Sequence, residues 1–118
     1  EAVAPPDPAA TPRVMTTQAG AIRFFDARRV TRFWAEAKYT VFRADGAEHL
    51  TEEPLGALEE RLRAFGFLRV HRAELVNLAE VRALEATEGA HVLRLSDGQT
   101  ARVSRRMLAS VSAALGVR

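Results

Sequence analysis

The sequence has no cysteine. That excludes a disulfide framework, a thiolate metal site and a cysteine nucleophile, and it fits a cytoplasmic chain. No apolar run approaches the ~18 residues that a membrane helix needs, so no membrane contact is expected from this segment. The Pro/Ala-rich opening also lacks the basic head and apolar stretch of a secretion signal. Enzyme signatures are missing as well: there is no Gly-x-Ser-x-Gly, no phosphate-cradling glycine loop, and no His/Asp/Glu cluster at metal spacing. Ser104 and His71 are a conceivable catalytic pair, but no third group lies nearby in sequence. The chain is therefore expected to be neither an enzyme nor a binder of metal or cofactor. Strands and helices do not alternate, which argues against a parallel sheet. Lysine is almost absent too. Of 17 basic residues 16 are arginine, and Lys38 stands alone.

What remains is 118 residues, enough for one domain with a modest core. The net charge of +2 says little, but its distribution says more. Residues 22–43 carry six basic and two acidic residues, residues 44–66 carry two basic and six acidic, and residues 101–118 carry four basic and no acidic. Two basic segments thus flank an acidic middle. Folded onto one face they make a footprint for an anionic ligand; interspersed, they are ordinary solvated charge.

Residues 1–21 read as a Pro/Ala-rich linker or disordered tail, because proline removes backbone donors and restrains its neighbour. The chain opens at Glu1 rather than Met, and it is expected to be part of a longer protein. Residues 22–118 form the domain. Short strands are expected over Ile22 to Asp26, Val30 to Ala37 and Tyr39 to Phe42, with Asp45-Gly46 turning into a return strand from Ala47 to Thr51. A helix follows, with Thr51 or Glu53 as cap and Pro54 at the first helical position. Leu55, Leu58, Leu62 and Phe65 share one side of it, and Gly66 ends it. Its other side is mixed and acid-rich, which suits packing better than DNA. Further strands are expected over Val81 to Thr87, His91 to Leu95 and Gln99 to Val103. Ser104 then caps a C-terminal helix that buries Met107, Leu108, Val111 and Leu115. About eight to ten short strands and two helices make a mainly antiparallel β domain.

Phe67-Leu68-Arg69-Val70-His71-Arg72-Ala73-Glu74-Leu75-Val76-Asn77 is the densest stretch. Phe67, Leu75 and Val76 read as core, and Asn77 as a backbone cap. Two readings stand for Arg72: a surface arginine paired with Glu74, or a group free for a ligand. Lys38 reads either as a charge guarding an edge strand or as a contact residue. Cations at Arg105 and Arg106 sit poorly in the first turn of a helix, which favours a functional reason. His49 and His91 look like isolated surface residues.

Four blocks in order resemble the LytTR-type DNA-binding domain of bacterial transcription regulators. They are Phe33-Trp34-Ala35-Glu36-Ala37-Lys38-Tyr39-Thr40, the Asp45-Gly46 hairpin with the helix after it, Phe67 to Asn77, and Val103-Ser104-Arg105-Arg106. The resemblance implies an elongated all-β unit of about ten short antiparallel strands in three small sheets, with one or two short helices. It also implies an output domain of a response regulator, often in a two-component system, whose loop side chains enter successive major grooves. Carried over by motif, Lys38, Arg72 and Arg106 are the base-contact residues, since lysine and arginine donate to guanine edges. Tyr39, Arg69, His71, Ser104 and Arg105 are then the DNA-backbone contacts. The implied partners are double-stranded DNA with paired repeats, an N-terminal regulatory domain outside this chain, and a second copy in the full-length protein. Ala73 and Glu74 depart from the family, where serine and an aromatic are common, and Trp34 has no evident role. If Glu74 faces DNA it weakens binding; if it pairs with Arg69 or Arg72 it positions or occupies that side chain. With the acid-rich helix, it motivates an alternative: a protein-interaction or sensory β domain that has lost DNA binding.

Overall fold

A computed structural model describes residues 12–116. Ten strands form three antiparallel sheets, with two short helices. In chain order they are β1 (Arg13–Gln18), β2 (Ala21–Asp26), β3 (Arg32–Glu36), β4 (Tyr39–Ala44), β5 (Ala47–Thr51), α1 (Leu55–Leu62), β6 (Phe67–His71), β7 (Glu74–Asn77), β8 (Val81–Thr87), β9 (Ala90–Leu95), β10 (Thr100–Val103) and α2 (Leu108–Leu115). The sheets run β1-β2, β5-β4-β3-β7-β6 and β10-β9-β8. The described residues measure 54 × 30 × 22 Å along their principal axes, so the unit is elongated.

The five-stranded sheet is the partition. Successive strand side chains point to opposite faces, and here each face feeds its own core. Phe33, Phe42, Phe67 and Leu75 face α1, where Leu55, Leu58 and Leu62 close over them. Val70 and Val76 face the other way, toward Leu93, Leu95, Ala101 and Val103 of the three-stranded sheet and Val111 of α2. One sheet thus carries two small cores. Phe33 sits at its centre, with ring centroids 5.5 Å from Phe42 and 5.7 Å from Phe67.

Three expectations need correction. The tail over residues 1–21 is contradicted from residue 13 onward. Residues 1–11 lie outside those described, but Arg13–Gln18 is a strand paired with Ala21–Asp26. Val14 and Thr16 are buried while Met15 and Thr17 are not, the period-2 pattern of a strand with one covered face. The prolines upstream obscured that pattern. Ala19-Gly20 closes the hairpin with φ of 53° and 82°, as a two-residue turn requires. Thr16 Oγ1 donates to the Leu50 carbonyl and pins β1 to β5. Secondly, Pro54 is the residue before α1, with extended backbone and no side-chain cap; Thr51 Oγ1 instead accepts from the Glu53 amide. Thirdly, His49 is half-buried against the rings of Phe25 and Phe42. Gly116 ends α2 with φ 80°, as expected, and Gly66, with φ 88°, ends the 3-10 turn Arg63–Phe65 that follows α1.

Phe33→Ala removes the ring that joins three strands' aromatics. It is expected to cost about 3–5 kcal/mol, read as a lower denaturant midpoint at unchanged slope.

Candidate nucleic-acid interface

Pairing register decides which loops meet. Glu36 opposes Tyr39, so Ala37-Lys38 is a tight turn at one end of β3, with Ala37 at φ 54°. Trp34 opposes Glu74, and the Ala35 amide donates to the Ala73 carbonyl at 3.0 Å. The Arg72-Ala73 turn therefore sits beside the Ala37-Lys38 turn, at the same end of the sheet. The Ser104 amide donates to the Val70 carbonyl at 2.9 Å, which docks the start of the next segment against that end of β6. Ser104 Oγ accepts from the Met107 amide at 3.2 Å. The chain then winds through a 3-10 turn (Arg105–Met107) before α2. Lys38, Arg72, Arg105 and Arg106 thus converge from three separate segments, all exposed. Among the described residues none of the four forms an ion pair, whereas arginines elsewhere pair with Asp26, Asp45, Glu53, Glu59, Glu80 and Glu85.

Glu74 does not behave as either expectation had it. It neither faces outward nor pairs with Arg69 or Arg72. Its side chain is 2% exposed and lies between two other arginines: Arg32 Nε at 2.5 Å and Arg102 Nε at 3.4 Å. Odd and even positions of β7 face opposite cores, and Glu74 falls on the side of Val76, toward β10. Its charge is neutralised inside the fold. Arg32 also lies over the Trp34 ring at 4.3 Å and donates to Gln99 Oε1 at 3.2 Å. Trp34 is therefore the platform on which that guanidinium rests. Gln99 Nε2 reaches Thr31 Oγ1 and Asp97 Oδ2 at 2.8 and 2.7 Å, and so ties β3 to the turn before β10.

Arg69 is turned inward. Its Nε donates to the His71 carbonyl, one terminal nitrogen to the Arg72 carbonyl, and the other to Glu59 Oε1 at 2.7 Å. Two of these nitrogens brace the turn that presents Arg72, including a register irregularity between Arg69 and His71, and the third ties the side chain to α1. His71 Nδ1 accepts from the Ala73 amide at 3.1 Å, so the neutral ring carries its proton on Nε2. Burial is the chief reason its pKa lies below the ordinary value. Arg102 adds to the shift, Glu74 opposes it, and Arg72 and Arg69 add less. Tyr39 opens β4 and is exposed. Asn77 satisfies backbone as expected, donating to the Arg28 and Val30 carbonyls and accepting from the Ala79 amide. The residues that sequence reasoning passed over are Arg32 and Arg102. For Arg102 a signal existed: β10 alternates, and Arg102 is the outward charge between buried Ala101 and Val103.

A model of the LytTr DNA-binding domain matches residues 20–116. The chain is 37% identical, over 95 residues, to the positive alginate biosynthesis regulatory protein of Pseudomonas aeruginosa; the match takes in 76% of this chain. It spans only 37% of that relative's length. In fold it is similar to the LytTr DNA-binding domain of a Bacillus cereus protein described as a methyl-accepting/DNA response regulator. The TM-score is 0.78 at 22% identity, covering 88% of this chain and 96% of that one.

A lowered histidine pKa means that the folded chain binds fewer protons than the unfolded chain, between that value and the ordinary ~6.5. The contribution of His71 to stability is therefore full above ~6.5 and is lost as pH falls through this window. Thermal midpoints measured from pH 7.5 to 5 are expected to decline, and His71→Gln is expected to flatten that part of the profile.

Proposed function

The chain belongs to the LytTr DNA-binding domain family, and on that premise we propose that it reads double-stranded DNA sequence-specifically, as the output domain of a bacterial transcriptional regulator. The observation that carries this reading is the convergence of Lys38, Arg72 and Arg106 at one end of the sheets, on separate turns and free of ion pairs among the described residues. A guanidinium unpaired in the free protein loses no internal partner when it binds. Arg72 and Arg106 fork onto guanine O6 and N7, and Lys38 donates to a base edge with less geometric restraint. In this reading the three segments enter successive major grooves. Tyr39, His71, Ser104 and Arg105 hold phosphates and set the register. Arg69 acts through Arg72, by holding the carbonyls of its turn.

Regulation in this reading comes from an N-terminal domain of the longer protein, a receiver in a two-component system, with two copies acting on paired repeats in the cytoplasm. Among the described residues no helix is long and apolar enough to cross a membrane. The alternative of a β domain that has lost DNA binding drew on Glu74 as a charge that repels phosphate and on the acid-rich helix. The burial of that carboxylate between two arginines removes the first motive.

Selection of bound duplexes from a random pool is expected to recover a paired motif. In gel shifts on that motif, Arg72→Ala is expected to cost about 1–3 kcal/mol and to relax specificity at one position. Unchanged affinity and specificity would overturn the role of Arg72.

A further inference from the structure

A groove of about 260 Å³ opens between the end of β6, the turn joining β8 to β9, and the segment after β10. His71, His91, Arg102, Ser104 and Arg105 line it together with Val92 and Val103, with Gly89 and Ala90 as a low wall, and no carboxylate does. The resemblance already marks His71, Ser104 and Arg105 as backbone contacts, but nothing in the sequence joins Arg102 and His91 to them, because the walls come from positions 71, 91 and 102–105. Sheet pairing brings them together: His91 opposes Val103, and the Ser104 amide bonds to Val70. His91, read from sequence as an isolated surface residue, is half-buried there.

We infer that this groove receives one backbone phosphate of the bound duplex, with Arg102 as its charge partner and His91 as a second, unassigned contact. The inference rests on the DNA-binding reading above. Four features point to a phosphodiester. Two guanidiniums and two imidazoles face one small space without an acid among them. The neutral tautomer of His71 keeps its Nε2 proton for donation. The Arg102 side chain is 65% exposed, and Glu74 holds only its Nε, at the long distance of 3.4 Å. The terminal nitrogens of Arg102 have no hydrogen-bond partner among the described residues, and the glycine wall lets a backbone approach closely. The groove takes in Arg105, and His71 on its wall precedes Arg72 in the chain, so a strand lying across both passes near it. Glu74 thereby acquires a second purpose: it aims Arg102 while leaving the distal guanidinium nitrogens for the ligand.

The test is a salt series with the whole chain on its selected duplex and on a scrambled one. Arg102→Gln is expected to weaken both duplexes by the same factor, and to lower the slope of log affinity against log salt by about 1, the signature of one lost phosphate. Arg102→Lys is expected to keep that slope. His91→Ala leaves the Glu74 pairing intact and so guards against a folding artefact; it is expected to weaken both duplexes equally, by a few-fold. An unchanged slope in Arg102→Gln with unchanged affinity in His91→Ala overturns the inference, while Arg72→Ala still relaxing specificity leaves the DNA reading standing. Wild-type protein without salt-sensitive duplex binding overturns both. Inorganic phosphate alone is titrated against the imidazole NMR signals. Saturation at low millimolar concentration, with no effect of either substitution on DNA, assigns the groove to a free anion and overturns the duplex contact.

Discussion

A carboxylate taken out of water must find opposite charge inside, or it loses several kilocalories per mole of hydration without return. Glu74 is that carboxylate here, and much of the molecule's arrangement answers to it. Arg32 reaches it along the five-stranded sheet and Arg102 reaches it from the three-stranded one. The two sheets are therefore joined by charge as well as by the Val70, Val76, Leu93 and Ala101 contacts. Apolar packing is non-directional and tolerates sliding. A carboxylate shared by two guanidiniums holds β7 and β10 at a definite offset. Trp34, under the Arg32 guanidinium, and Gln99, at its terminal nitrogen, restrict it further.

That offset has a functional consequence. The residues proposed to touch DNA come from the turn between β3 and β4, the turn between β6 and β7, and the segment after β10. Only the first two belong to one sheet. The third is carried by the other sheet, so the spacing among Lys38, Arg72 and Arg106 depends on how the sheets are joined. Loop side chains can read DNA only if their bases are held rigidly, since freedom at each tip costs entropy on binding. Arg69 supplies rigidity at the middle turn, the Ser104 cap at the last, and the two-residue hairpin at the first. In the proposed reading, a fold of ten short strands with little helix holds its contact residues by bracing turns rather than by presenting a recognition helix.

Local signals in the sequence were plain wherever they were short-range. Asp45-Gly46 predicted its hairpin, Leu55, Leu58 and Leu62 their helical stripe, and Gly116 its helix end, while Gly66 and Ser104 stand one 3-10 turn away from α1 and α2. The strand β1 was obscured because four prolines in the first twelve residues dominate the composition of the opening, while the alternation of Val14 to Thr17 spans only a few residues. His49 looked isolated because its aromatic neighbours, Phe25 and Phe42, are supplied by other strands.

The side chains proposed to touch DNA were legible as types and positions, because Lys38, Arg72, Arg105 and Arg106 stand on turn-like segments within motifs. The sequence by itself determined most of the strands and turns, β1 excepted, and the family. It did not determine the partner of any charge. Glu74 stands two residues from Arg72, and proximity along the chain suggested that pair. In a strand, however, direction alternates with every residue, so Glu74 turned into the fold and met arginines at positions 32 and 102. Tertiary structure alone decided which arginines were spent on internal carboxylates and which were left for a ligand, because ion pairing depends on distance in space, and sheet register sets that distance.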